Sequence, residues 1–136
     1  MSGIHILVVD DEADSREIVT FVLEQAGAIV TSVSSGIEAL QVIERSIPAL
    51  IVSDIGMPEM DGYMLLQQVR TLEQVRQVPA IALTAYAGEL DRQQAIQAGF
   101  QKHLSKPIEP NELINVISAL INSLGTAHLT RGSSHD

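Results

Sequence analysis

The sequence predicts an open, doubly wound α/β fold: a five-stranded parallel sheet with helices on both faces. Three observations predict it. There are five short apolar runs, amphipathic stretches of helical spacing between them, and cap or turn residues at the junctions. Strands apolar on both faces belong in a covered sheet, and parallel neighbours need the crossover that an intervening helix supplies.

The first run is Ile4 to Val9, followed by helical spacing at Ile18, Phe21 and Val22 and by Gly27, placed for a left-handed C-cap. Ala28 to Val33 forms the second run. Ser35 with Glu38 three residues later reads as a capping box for a helix carrying Leu40 and Ile43. Ala49 to Val52 is the third run, and its helix carries Leu65, Leu66 and Val69. Pro79 to Leu83 is the fourth, followed by Leu90, Ala95 and Ala98 and a second C-cap candidate, Gly99. The fifth run, Lys102 to Leu104, is the weakest, and Leu113, Val116, Ile117 and Leu120 mark the last helix. The folded body is expected over residues 1–124. The stretch 125–136, GTAHLTRGSSHD, is small and polar without periodicity, and reads as a disordered tail or an expression remnant.

The chain has 136 residues, enough for one core. Its 17 acidic against 8 basic residues give a net charge of -9, which argues against direct contact with nucleic acid, since that needs clustered cations. The absence of cysteine removes disulfides, thiolate metal sites and thiol nucleophiles, and the N-terminus has no secretory pattern. No apolar run approaches the roughly 20 residues that span a bilayer. A cytoplasmic location without membrane contact is the expectation.

In open parallel sheets, ligands bind at the carboxyl ends of the strands. There the sequence places Asp10 and Asp11 after the first strand, Asp54 after the third, Thr84 after the fourth, and Lys106 with Pro107 after the fifth. Taken singly these are ordinary cap, turn or solvated residues. Gathered at one sheet edge they are not independent. Carboxylates about 4 Å apart repel by about 1 kcal/mol per pair in water and about 4 at intermediate dielectric, so the cluster needs a counter-charge.

LVVDDE at Leu7 to Glu12, SDIGMPEMDG at Ser53 to Gly62, ALTAYA at Ala82 to Ala87 and AGFQKHLSKP at Ala98 to Pro107 stand in the order and spacing of one family. The chain resembles the receiver domains of two-component response regulators and hybrid histidine kinases, from residue 4 to about 124. The resemblance implies the (βα)5 flavodoxin-like topology with strand order 2-1-3-4-5. It also implies roles. Asp54 would take a phosphoryl group from the phosphohistidine of a histidine kinase or histidine phosphotransfer protein. Asp10, Asp11, Asp54 and the backbone carbonyl of Gly56 would hold Mg²⁺. Lys106 would pair with Asp54 and then with the phosphoryl group, and the Thr84 hydroxyl would bond a phosphoryl oxygen. Ala85 would leave access to the phosphoryl group, Tyr86 would lie near it and tune its lifetime, and the Lys106–Pro107 peptide would be cis. Pro58, Asp61 and Gly62 read as loop, cap and turn residues. At His103 the family most often has Tyr or Phe, so an aromatic switch is not assumed; the expectation is an output surface that responds to pH as well as phosphate.

The resemblance also implies partners on the face of the fourth helix, fifth strand and fifth helix, where a homodimer is an option. SDIGMP and LTAYA are more similar to receivers of hybrid kinases than to those of transcription factors. The main alternative is a receiver-like interaction module that is not phosphorylated. A haloacid-dehalogenase-type phosphatase would need an Asp-x-Asp pair, but here the two acids are adjacent. A flavodoxin-type electron carrier would need a Ser/Thr/Gly phosphate loop where Asp10, Asp11 and Glu12 stand, and no GxGxxG or GxxxxGK[ST] nucleotide motif is present.

Overall fold

A computed structural model describes residues 2–85 and 88–133, with side chains through Asn122. Five strands, β1 (His5–Val9), β2 (Ile29–Val33), β3 (Leu50–Asp54), β4 (Ala80–Thr84) and β5 (Lys102–Ser105), alternate with five helices, α1 (Ala13–Gln25), α2 (Gly36–Arg45), α3 (Gly62–Thr71), α4 (Glu89–Ala98) and α5 (Pro110–Ser133). The sheet order is β2-β1-β3-β4-β5, with every pair parallel. This is the expected doubly wound topology, and each strand starts and ends within two residues of its apolar run.

The period-two pleat sorts the strand residues between two cores. Leu7, Val9, Ile51, Ala80 and Ala82 face one side, against Ala39 and Ile43 of α2, Leu65, Leu66 and Val69 of α3, and Ala95 and Ala98 of α4. Ile6, Val8, Val52, Ile81, Leu83 and Leu104 face the other, against Val19 and Leu23 of α1 and Leu113 and Ile117 of α5. β3 and β4 are buried throughout, and β1 in all but its first residue, His5. β2 is an edge strand and leaves Ile29 59% exposed, so apolarity on both faces marks only the central strands.

Local signals read from the sequence act as follows. Ser35 accepts from the Glu38 amide at 3.1 Å, but the reciprocal bond of the capping box runs from the Ser34 amide to Glu38, at 2.8 Å. Asp61 caps α3 by accepting from the Met64 amide. Gly99 is the left-handed C-cap of α4. Gly27 is also left-handed and lies one residue beyond the α1 C-cap, Ala26.

Three expectations of facing are corrected. Ile18 and Phe21 are 54% and 63% exposed, because α1 docks through Val19 and Leu23, one residue round the helix; Leu90, in the first turn of α4, is 80% exposed. The last helix continues past Leu124, where the sequence places the end of the folded body, to Ser133. The docked turns supply the helix nucleus and 125–133 contains no proline to stop it, so the helix runs on through residues of poor helix propensity such as Gly125, Thr126 and Thr130. Residues 134–136 lie outside the described residues.

The far end of the sheet is tied by one side chain. Arg70, near the end of α3, donates to the carbonyls of Gly99 (3.1 Å), Arg76 (2.9 Å) and Val78 (2.6 Å), and to Gln101 Oε1 (3.2 Å), which also accepts from the Ala80 amide at 2.7 Å. One guanidinium thus joins α3, the α3–β4 loop, β4 and the α4–β5 turn. Among the described residues no helix is long and apolar enough to cross a membrane.

Candidate functional site

The carboxyl ends of β1, β3, β4 and β5 converge on one site. Asp10 directly follows β1. Its amide is held by the Val33 carbonyl at 3.1 Å and its side chain is fully buried, with Oδ1 accepting from the Glu12 amide at 3.0 Å. Asp11 is exposed beside it. Asp54, the last residue of β3, is 5% exposed, and its carbonyl accepts from the buried Ser53 hydroxyl at 2.9 Å. Ligand oxygens of Asp10, Asp11 and Asp54 lie within 4.8 Å of one another.

Lys106 follows β5, anchored through its amide to the Thr84 carbonyl at 2.7 Å. Its Nζ lies 3.1 Å from Asp10 Oδ2, 3.3 Å from Asp54 Oδ1 and 3.3 Å from Glu12 Oε1. The Lys106–Pro107 peptide is cis, as the resemblance implied. Burial pushes the Asp54 carboxyl up to about 6; repulsion from Asp10 adds to the shift and Lys106 only partly opposes it. For Lys106 burial works towards a lower pKa, but the Asp10 and Asp54 carboxylates outweigh it and hold the ammonium above the ordinary lysine value.

Asp11, Asp54, Gly56, Thr84, Ala85 and Lys106 all line one cavity of about 600 Å³. Thr84 is buried at the end of β4, and Ala85 is exposed at the rim. His103 stands apart, on β5 opposite Ala82, two residues before the Ser105–Thr84 pair. It is part-buried, and its Nε2 is enclosed without a hydrogen-bond partner. Tyr86 lies outside the described residues.

Two features escape a reading of the sequence. Glu12 sends its side chain onto Lys106, although a third acid in a row reads as a solvated one. Gly62 does more than start α3: a Cβ there would lie 2.5 Å from the Asp54 carbonyl oxygen and 2.9 Å from Ile55 Cα, so only glycine lets α3 press on the end of β3. The Gly62 amide bonds the Ile55 carbonyl at 2.9 Å and fastens the same contact.

The donor set suits a hard divalent cation. It is all oxygen, three carboxylates meet one lysine, and the buried Asp10 Oδ2 has an ion pair but no hydrogen bond.

A family model for the response regulator receiver domain matches residues 6–118. The chain belongs to this family, the receiver domains of two-component systems. A 14.6 kDa protein in the sodA1 3′ region of Leptolyngbya boryana is 50% identical over 117 residues, covering 86% of this chain and 89% of that one. Response regulator Rre1 of Synechocystis sp. is 39% identical over 119 residues, covering 87% of this chain and 52% of Rre1, so the chain spans about half of that relative. Among solved structures, the receiver domain of the sensor histidine kinase PA1611 of Pseudomonas aeruginosa has a magnesium ion coordinated in its active site cleft. It shares 36% identity at a TM-score of 0.82, covering 89% of this chain and 99% of that one. The similar receivers thus come both from a sensor histidine kinase, PA1611, and from a response regulator, Rre1.

Proposed function

We propose that this receiver accepts a phosphoryl group on Asp54 from the phosphohistidine of a histidine kinase or histidine phosphotransfer protein, in a Mg²⁺-dependent reaction that alters its interaction surface. The observation that carries this reading is the pairing of a buried carboxylate, Asp54, with Lys106 at 3.3 Å, inside a cluster of two further carboxylates. An Asp54 oxygen bonds to phosphorus as the phosphorus–nitrogen bond breaks, and the histidine ring nitrogen leaves with the electron pair. Lys106 neutralises the Asp54 carboxylate beforehand and a phosphoryl oxygen afterwards. Thr84, which lines the same cavity, offers its hydroxyl to another phosphoryl oxygen, and Ala85 keeps the approach open. Bound by Asp10, Asp11, Asp54 and the Gly56 carbonyl, Mg²⁺ would supply positive charge to the transferring group.

The donor protein has a place to sit. Ala13, Ile18, Ala85, Pro107 and Ile108 line a second cavity, of about 610 Å³, that shares Lys106 with the first, and Ile18 and Phe21 extend an apolar face along α1. The net charge of -9 leaves nucleic-acid contact to other parts of any assembly, and the same chemistry suits the cytoplasm.

Incubation with acetyl phosphate and Mg²⁺ is expected to add phosphate, and excess EDTA to abolish the addition. Uptake that persists undiminished in EDTA would remove the metal from the reaction. His103 is expected to report the change at the output face. Its ring resonances, followed by NMR at one fixed pH, should move when the phosphoryl group is added; unchanged resonances would take His103 out of the switch.

A further inference from the structure

Glu12 belongs to neither the metal cluster nor the phosphoacceptor pair, yet its carboxylate is the third acid on Lys106. Its backbone is pinned. The Glu12 amide bonds Asp10 Oδ1 at 3.0 Å, and its carbonyl accepts from the Arg16 amide at 2.9 Å as the N-cap of α1. The side chain makes no capping bond, is 68% exposed, and reaches Lys106 Nζ at 3.3 Å. Glu12, Ala85 and Lys106 line both cavities, the one holding Asp54 and the apolar one beside α1. The carboxylate therefore stands where an incoming phosphodonor must pass, on the lysine that must take its charge.

We infer that Glu12 is a specificity-determining residue, an anionic screen that disfavours small, highly charged phosphodonors at Asp54; this rests on the phosphoacceptor reading above. With a divalent cation bound, the carboxylates of Asp10, Asp11, Asp54 and Glu12 exceed the cation and Lys106 by one negative charge. Without Glu12 the site is neutral. A free dianion meets that surplus and competes with Glu12 for Lys106. A protein donor offsets the repulsion with contacts along α1, which a small molecule lacks.

Glu12→Gln keeps the length of the side chain and removes the charge, at an exposed position where folding is not at stake. At saturating Mg²⁺, the variant is expected to react with dianionic acetyl phosphate about three- to tenfold faster than the wild type, with a smaller gain for the less charged phosphoramidate and a flatter salt dependence. Equal rates for wild type and variant, or equal gains for both donors with unchanged salt dependence, would overturn the inference. A second probe separates it from the phosphoacceptor reading. Beryllofluoride, an anionic stand-in for the phosphoryl group, should bind the variant about threefold more tightly by ¹⁹F NMR. If neither protein accepts phosphate but the variant binds beryllofluoride more tightly, the screen stands and the phosphoacceptor reading fails. Equal beryllofluoride affinity would remove the screen whatever the phosphodonors do.

Discussion

Asp54→Asn is expected to stabilise the metal-free protein by about 2–3 kcal/mol at slightly alkaline pH and to leave its stability unchanged in strong acid. The native Asp54 carboxyl titrates at about 6, against an ordinary value of 3.8. A raised native pKa means that folding favours the protonated form. Below about pH 4 both folded and unfolded chains carry the proton and the site costs nothing; between about 4 and 6 stability falls as pH rises, and above about 6 the full cost of the buried charge is present. Burial is the larger cause and repulsion from Asp10 the second, and asparagine removes both while keeping the shape. Urea denaturation followed by circular dichroism at the two pH extremes measures the difference. In the wild type Mg²⁺ should recover much of the deficit above pH 6, and in the variant less. A variant no more stable than the wild type at alkaline pH would mean that the carboxylate carries no such cost.

Arg70→Ala is expected to cost about 2–4 kcal/mol in the same denaturation, at the opposite end of the sheet from Asp54. The substitution leaves the carbonyls of Gly99, Arg76 and Val78 without the donor that joins them, and frees Gln101, which holds the Ala80 amide. Truncation also leaves space where the guanidinium was packed. Arg70→Lys should recover only part of the loss, because one ammonium cannot span acceptors arranged for a planar fork. Phosphoryl uptake at a temperature where the variant is folded should match the wild type. A loss below about 1 kcal/mol would reduce Arg70 to a surface residue.

The contrast between Asp54 and Arg70 shows what could be read from the sequence. Asp10, Asp54, Thr84 and Lys106 were legible because each ends a strand-like run, and a parallel sheet brings such ends together whatever the details of packing. The central strands were legible for a related reason: burial on both faces leaves continuous apolar runs at Leu7, Ile51 and Ile81. Arg70 was not, because an arginine near the end of a helix ordinarily lies in water, and its acceptors are backbone carbonyls that carry no sequence signal. Glu12 was hidden in the same way, since its partner Lys106 is 94 residues away. The docking face of α1 was misplaced by one residue because the stripe of Ile18, Phe21 and Val22 is as apolar as that of Val19, Val22 and Leu23; contact with the sheet chooses between them. Gly62 read as a turn residue, and only its approach to the Asp54 carbonyl shows that a side chain there has no room.

Intact mass after incubation with acetyl phosphate and Mg²⁺ decides whether Asp54 is the phosphoacceptor. One added phosphate is expected on the wild type and none on Asp54→Ala. No uptake by the folded wild type, or undiminished uptake by Asp54→Ala, would contradict that role.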